Sequence, residues 1–231
     1  DMYLEKYDDS VFSEFRKIFE EHKDNKIFFY IHYASPHDPY NDFNEEISRD
    51  FENLNKNKIT EYPFMQMIPI PWLSLHPEIA IHNSIGDCLL GYDKEIYGID
   101  YQFRKLWEFL KKNDYIKSTF LIFLSDHGEF FGEHGQMIHG NVQYEETIHI
   151  PLIIWDFSSG RSGRVNNVVS IIDIMPTILE KLGIGLRKNQ RYAYYGKNIL
   201  NDKNLSESRG IIAEQPKKNG KGDFINLGLI T

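Results

Sequence analysis

Two stretches of the chain repeat apolar residues every three or four positions. In Ser10–His22 these are Val11, Phe12, Phe15, Ile18 and Phe19, with charges between them, and the spacing predicts an amphipathic helix. The stripe in Tyr92–Lys112 is longer: Tyr92, Ile96, Ile99, Phe103, Leu106, Trp107 and Leu110, with Lys111 and Lys112 at the negative end of the helix dipole. Each helical pattern leads into a short apolar run, Lys26–Tyr33 (KIFFYIHY) after the first and Phe120–Leu124 (FLIFL) after the second. His149–Trp155 (HIPLIIW) is a third such run. Unbroken apolar runs of this length predict strands buried on both faces, hence a parallel sheet. Helix then strand, twice over, is the order of an α/β domain with helices flanking a mainly parallel sheet. Further along, Val165–Ser170 predicts a short edge strand. Asp173 caps a helix that admits Pro176 early and stops at Gly183. Arg187–Ser208 is mostly polar loop, and Gly210–Glu214 and Phe224–Thr231 predict strands, so residues 201–231 begin a C-terminal strand region.

Asn41–Leu90 has no clear period. Asp42–Thr60 is polar with weak helical character. Tyr62–Pro77 carries Pro63, Pro69, Pro71 and Pro77 among Met, Ile and Trp, which predicts an irregular packed loop. A connection this long in an α/β domain covers something or serves function, so residues 41–90 are expected to shape a substrate pocket.

Composition removes partner classes. The 231 residues carry a net charge of −8 and no long basic run, which argues against nucleic acid. Lys217–Lys221 (KKNGK) predicts a solvated loop. No apolar stretch reaches membrane-spanning length without charge. The single cysteine, Cys88, excludes an internal disulfide framework and a multi-cysteine zinc site, and no basic neighbour activates it, so it is expected to be a buried thiol. The chain begins at Asp1 and ends within a strand pattern, and a piece of a longer protein is the expectation.

Chemistry concentrates in Thr119–Gly140. Asp126 and His127 follow the Phe120–Leu124 strand, and in open α/β sheets ligands sit beyond the carboxyl ends of strands. A carboxylate beside an imidazole there makes half of a divalent-metal site; the plainer reading is a capping aspartate and a surface histidine. His37 stands between Pro36 and Pro39 on a rigid loop after Lys26–Tyr33, so both strand ends are expected on one sheet edge. His37 and His139 are candidates to contact an anion or protonate a leaving oxygen, against the plainer reading of loop histidines. His134 and His149 are read as structural, His22, His76 and His82 as solvated or packed, Ser125 as a structural hydroxyl, and Glu145 and Glu146 as turn acids.

Four ordered segments carry a family resemblance: FFYIHYASPHDPY (Phe28–Tyr40), Tyr92–Gly140 with SDHGEFFGEHG and a following HG, YEETIHIPLII (Tyr144–Ile154), and VSIIDIMPTILEKLG (Val169–Gly183). The set resembles the sulfatase family of the alkaline-phosphatase superfamily. The resemblance implies an alkaline-phosphatase-like sandwich. It implies that Asp126 and His127 are metal ligands, that His37 binds the sulfate or phosphate group, and that His139 stands near a substrate-binding lysine of many members. Many sulfatases have Asp-Asn where this chain has Asp126-His127, and Asp-His looks more like the phosphonate-monoesterase and headgroup-transferase branch. The family's first metal-binding acids and its nucleophile, a Cys or Ser converted to formylglycine, precede these segments. Cys88 lacks the accompanying Pro and Arg and is not assigned that role.

The reading is therefore a partial catalytic domain over residues 1–231 of a metal-dependent sulfuric ester hydrolase, inactive by itself for want of the nucleophile. Calcium is the metal the resemblance implies first, with manganese or zinc open. The expected partner is a sulfated or phosphorylated small molecule, glycan or lipid headgroup, with periplasmic, extracellular or membrane-anchored placement of the parent protein. Two alternatives stay open: a phosphodiesterase, phosphonate monoesterase or phosphoethanolamine/phosphoglycerol transferase, and a non-catalytic anion-binding relic of the fold.

Overall fold

The apolar stripe of α1 (Ser10–His22) folds as its spacing predicts, burying Val11 and Phe15. In this computed structural model, which describes residues 10–41, 44–63, 66–140, 142–185, 195–201, 209–216 and 224–230, the chain forms two compact units. One is Asp1–Thr119 with Phe131–Ile138; the other is Phe120–Phe130 with His139–Thr231.

In the first unit, α2 (Glu45–Leu54) starts where the Asn44 side chain accepts the Ile47 N–H at 2.9 Å and Glu45 and Glu46 meet the positive end of the dipole. Only Ile47 and Phe51 anchor it inward, which is why the sequence shows so weak a period there. The proline-rich stretch is not wholly irregular. α3 (Ile70–Leu75) forms within it, because Pro69 and Pro71 sit at the helix start, where a missing N–H breaks no helical bond. A 3-10 turn at Pro77–Ile81 follows.

The long helix α4 spans Ile85–Lys112, starting well before Tyr92. Gly86 and Gly91 hide its first turns from a periodicity reading. Ser84 Oγ accepts the Asp87 N–H at 3.1 Å, and the Asp87 carboxylate accepts from Ser84 Oγ at 3.0 Å and from the Asn83 N–H at 3.1 Å, so the start is doubly capped. A Cβ at Gly91 would run into the Tyr40 carbonyl oxygen, so the glycine lets α4 pass against the end of the His37 loop. Phe15 and Phe19 of α1 meet Phe109 of α4 edge-on, with centroids 5.8 and 5.4 Å apart.

The core of this unit gathers Tyr40, Ile68, Ile79, Ile85, Cys88, Phe131, Met137 and Ile138. Cys88 is fully buried, and burial, with the Asp87 charge adding to it, pushes its thiol up to about 12. The thiol thus stays protonated at and well above neutral pH. Iodoacetamide is expected to leave Cys88 unlabelled in the folded protein and to label it in denaturant, as mass spectrometry would show. Labelling of the native protein at the denatured rate would contradict this burial.

The Lys26–Tyr33 stretch corrects an expectation. It is extended, and Phe28 and Tyr30 are exposed while Phe29 packs 4.9 Å from the Phe15 ring, so side chains alternate as in a strand. Yet no described strand pairs with it, and without ladder partners an extended run is not a strand.

In the second unit, β1 (Phe120–Leu124) matches its predicted bounds. The chain then returns to the first unit for Phe131–Ile138, where the short β2 (Phe130–Phe131) and β3 (Met137–Ile138) flank a turn closed by the Gly132 N–H on the Gln136 carbonyl at 2.8 Å. After the single turn α5 (Glu145–Ile148) comes β4 (Leu152–Asp156), which begins only beyond Pro151, a residue with no N–H to give a ladder. β1 and β4 pair antiparallel, from Phe120 opposite Asp156 to Leu124 opposite Leu152. The expected parallel neighbour is not seen among the described residues. An apolar run specifies burial but not the direction of its partner, and the long connection from β1 to β4 permits either. The Asp156 carboxylate, beside Phe120, accepts twice from Lys181 Nζ, each at 2.7 Å.

Val165–Ser170 is not a strand, since the Ser170 N–H is engaged by the Asp173 carboxylate at 2.8 Å in a capping box. A 3-10 turn at Ile171–Asp173 then enters α6 (Ile174–Lys181). That helix ends on Gly183 at φ 67°, with Gly183 N–H on the Glu180 carbonyl and Ile184 N–H on that of Leu179, the two bonds of a Schellman stop. β5 (Ile211–Pro216) and β6 (Phe224–Ile230) pair antiparallel, Ile211 opposite Ile230. Lys217–Lys221 and most of the Arg187–Ser208 loop lie outside the described residues. Among the described residues no helix is long and apolar enough to cross a membrane.

Candidate metal and anion site

Beyond β1 the backbone folds back on itself through short bonds. Ser125 Oγ donates to the His127 carbonyl at 2.5 Å, and the Asp126 Oδ1 accepts the His127 N–H at 2.9 Å. Ser125 is thereby committed to shaping the loop. Asp126 keeps 76% of its side chain exposed and His127 keeps 39%, so both reach solvent from a fixed backbone.

The ring of His127 has a defined orientation. Its Nδ1 lies 2.9 Å from the Gly128 carbonyl. A carbonyl only accepts, so Nδ1 carries the proton in the neutral ring and Nε2 keeps its lone pair. That Nε2 lies 3.7 Å from Asp126 Oδ2. Two atoms this close can both reach one cation at ligand distances of about 2.0–2.6 Å, and an oxygen–nitrogen pair suits a range of divalent ions. Metal-binding histidines are commonly held this way, the far ring N–H donating to a carbonyl or carboxylate. The pair supplies two donors; among the described residues no group of three or more His, Cys, Asp or Glu converges on a metal position. The residues present fit half of a metal site.

Gly128 holds the loop against α5. Its N–H donates to the Thr147 carbonyl at 2.9 Å, and a Cβ at this position would strike the Glu146 carbonyl oxygen. Gly128→Ala is expected to destabilise the protein by about 1–3 kcal/mol, the range for forced overpacking. Urea unfolding would read this, and an unchanged midpoint would mean that α5 does not brace the loop.

His139 comes back beside His127, with ring centroids 4.0 Å apart and planes at 34°. Its Nδ1 lies 3.1 and 3.4 Å from the two oxygens of Glu129, whose side chain is only 5% exposed. A buried carboxylate receiving this N–H fixes the imidazole's orientation and points Nε2 the other way. Nothing in the sequence reading singled out Glu129. It stands ten positions before its partner, on irregular backbone without a period to relate them.

The structure therefore brings Asp126, His127 and His139 together within the second unit. His37 belongs to the first. There its Nδ1 contacts its neighbour Asp38 twice, the carbonyl at 2.9 Å and Oδ1 at 2.7 Å, and half of the His37 side chain is exposed. The loop is held by His82, whose Nε2 lies 2.5 Å from the Pro39 carbonyl. His134 occupies the left-handed region at φ 52° in the Glu133–Gly135 turn, and His149 pairs with Glu145 at 2.9 Å on an exposed face.

The sulfatase family profile matches residues 2–184. An endo-4-O-sulfatase of Bacteroides thetaiotaomicron is 30% identical over 151 residues, 65% of this chain and 27% of that protein. Arylsulfatase K of Homo sapiens is 39% identical over 80 residues, 35% of this chain and 15% of that protein. A solved Bacteroides thetaiotaomicron structure, described under the metabolism of multiple glycosaminoglycans, superimposes with a TM-score of 0.67 at 24% identity, covering 96% of this chain and 46% of that one. The matches thus span less than half the length of each of these relatives. The superposition gives the chain the alkaline-phosphatase-like α/β fold. On the profile matched over residues 2–184, the chain belongs to the sulfatase family, a family of hydrolases.

Proposed function

We propose that the protein hydrolyses sulfate esters with the help of one divalent cation, of which Asp126 and His127 supply two ligands. The observation that carries this reading is the Asp126–His127 pair at the end of β1, with Oδ2 and Nε2 3.7 Å apart, in a chain of the sulfatase family. A cation bound there would act as a Lewis acid, drawing off negative charge from a sulfuryl oxygen. Calcium is the first choice by family resemblance; the His127 ligand also suits manganese or zinc.

The remaining work falls to two imidazoles. His139, oriented through Nδ1 by Glu129, offers Nε2–H to an oxygen of the sulfate group when the ring is protonated. His37, oriented through Nδ1 by Asp38, has the same capacity. Either can deliver its Nε2 proton to the leaving oxygen as the ester bond breaks. Relatives named as an endo-4-O-sulfatase and as arylsulfatases favour a sulfated sugar or aryl ester as substrate over a phosphodiester.

The test uses the full-length protein that carries this chain, since residues 1–231 are expected to be inactive alone, with 4-nitrophenyl sulfate, a 4-O-sulfated oligosaccharide and bis(4-nitrophenyl) phosphate. Sulfate-ester turnover that stops on chelation and returns with added metal is expected. Faster turnover of the phosphodiester would replace this reading with the phosphotransfer alternative.

A further inference from the structure

The loop that carries His37 is fastened at its end and in its middle. At its end Tyr40 is fully buried, its ring 5.9 Å from that of Tyr92 and 5.4 Å from that of Phe131. The Tyr40 backbone is left-handed, at φ 57°, a conformation that a residue with a side chain keeps only where the surroundings hold it. Its N–H donates to the His37 carbonyl at 3.3 Å, which closes residues 37–40 into a turn, and its own carbonyl lies against Gly91 of α4. In the middle, His82 Nε2 lies 2.5 Å from the Pro39 carbonyl. A carbonyl only accepts, so Nε2 donates, and the neutral Nε2–H ring and the imidazolium are both able to do so. Proline has no N–H, so this carbonyl is the one backbone group by which position 39 can be held.

His82 is suited to hold a loop still, because its own backbone is pinned on both sides. Its N–H donates to the carbonyl of fully buried Ile79 at 3.1 Å. Beyond it, Asn83 and Ser84 are tied to Asp87 at the capped start of α4, and the Ile85 N–H donates to the Gln66 carbonyl at 2.9 Å. The His82 ring also leans on Tyr40, with centroids 6.2 Å apart. The His37 ring takes its direction from the backbone that His82 holds: His37 Nδ1 lies 2.7 Å from Asp38 Oδ1 and 2.9 Å from the Asp38 carbonyl, one residue before Pro39. Where His37 Nε2 points is therefore decided at residues 38 and 39.

We propose that His82 is a positioning residue for His37: by donating Nε2–H to the Pro39 carbonyl it fixes the loop in the setting from which the His37 imidazole meets the sulfate group. A hydrogen bond from an imidazole to an anion is short and directional, so a small shift of the loop weakens it. This inference rests on the reading of His37 as an anion contact, and its test separates the two.

The experiment uses the full-length protein that carries this chain, its histidines labelled with nitrogen-15 and the His37 ring signals assigned by their loss in His37→Gln. Inorganic sulfate is titrated into the wild type and three variants whose circular dichroism matches it. His82→Phe keeps a ring against Tyr40 and removes the donor. His82→Gln carries an amide N–H to the place of Nε2. His82→Asn, whose shorter amide does not reach the carbonyl, serves should His82→Phe fold poorly. Without sulfate, the His37 signals are expected to move in the Phe and Asn variants and to stay at their wild-type positions in the Gln variant. Sulfate affinity is expected to fall about tenfold in the Phe and Asn variants, the worth of one hydrogen bond to a charged group, and to stay within about twofold in the Gln variant. Unmoved His37 signals in folded His82→Phe or His82→Asn overturn the proposal. So does a Gln variant as impaired as these, since packing and not donation would then be at work. His37 signals that move in His82→Phe, return in His82→Gln and ignore sulfate in the wild type would keep His82 as the support of the loop and remove the anion role from His37.

Discussion

In the full-length protein that carries this chain, Asp126→Ala and His127→Ala are each expected to lower sulfate-ester turnover by more than about a hundredfold while leaving the protein folded. The magnitude follows from their place as direct ligands, since removing even an outer partner of a metal ligand costs about 10–100-fold. The folding expectation follows from exposure, 76% for Asp126 and 39% for His127. Their side chains add little to the core, so loss of activity would report chemistry and not collapse. The effect should fall on metal affinity, read by calorimetric titration of the metal-free protein, together with kcat/KM on an aryl sulfate. His149→Ala is the control: it removes an imidazole from outside the proposed site that is more exposed than His127, 75% against 39%. Full metal affinity in Asp126→Ala would remove that residue from the ligand set.

The largest effect on stability is expected at Asp173. Its fully buried carboxylate receives the Ser170 N–H at 2.8 Å, the Lys197 N–H at 2.6 Å and a two-pronged Arg209 guanidinium at 2.7 and 2.8 Å. Asp173→Ala strands two backbone donors and leaves the Arg209 charge, whose side chain is 12% exposed, without its partner. Breaking a buried pair from one side costs about 3–5 kcal/mol. Lys23→Ala, which breaks an exposed pair with Glu20 at 3.2 Å, should leave the unfolding midpoint nearly unchanged, because water screens the pair. Urea unfolding of the two variants side by side checks the contrast, and equal midpoints would mean that the Arg209 clamp contributes nothing.

What the sequence reveals depends on whether the controlling interaction is local. Ser10–His22 is legible to its end residues, because one helix face carries the period and the packing merely uses it. So is the stop at Gly183, where a left-handed turn demands a residue without a Cβ. The start of α4 is not legible from period alone, since Gly86 and Gly91 interrupt it and the second is explained by a carbonyl from the Tyr40 backbone. The direction of the β1 neighbour is a tertiary choice that an apolar run leaves open. In the site, Asp126 and His127 stand out because they are adjacent and follow a strand. Glu129 does not, because it acts on His139 by way of a fold in irregular backbone. An Asp-Pro-Tyr sequence after His37 announces a rigid loop; it does not announce that His82 holds that loop by its Pro39 carbonyl.

The contact between Gly128 and the Glu146–Thr147 backbone makes substitutions at these positions conditional on one another. A side chain at 128 is admissible only where the α5 turn has withdrawn, and a turn that has withdrawn no longer receives the Gly128 N–H. Engineering of this loop should therefore treat residues 126–128 and 144–148 as one inherited unit. Transplanting the Asp126-His127-Gly128 tripeptide into another scaffold without its α5 turn would carry over the donor atoms and lose the support that aims them.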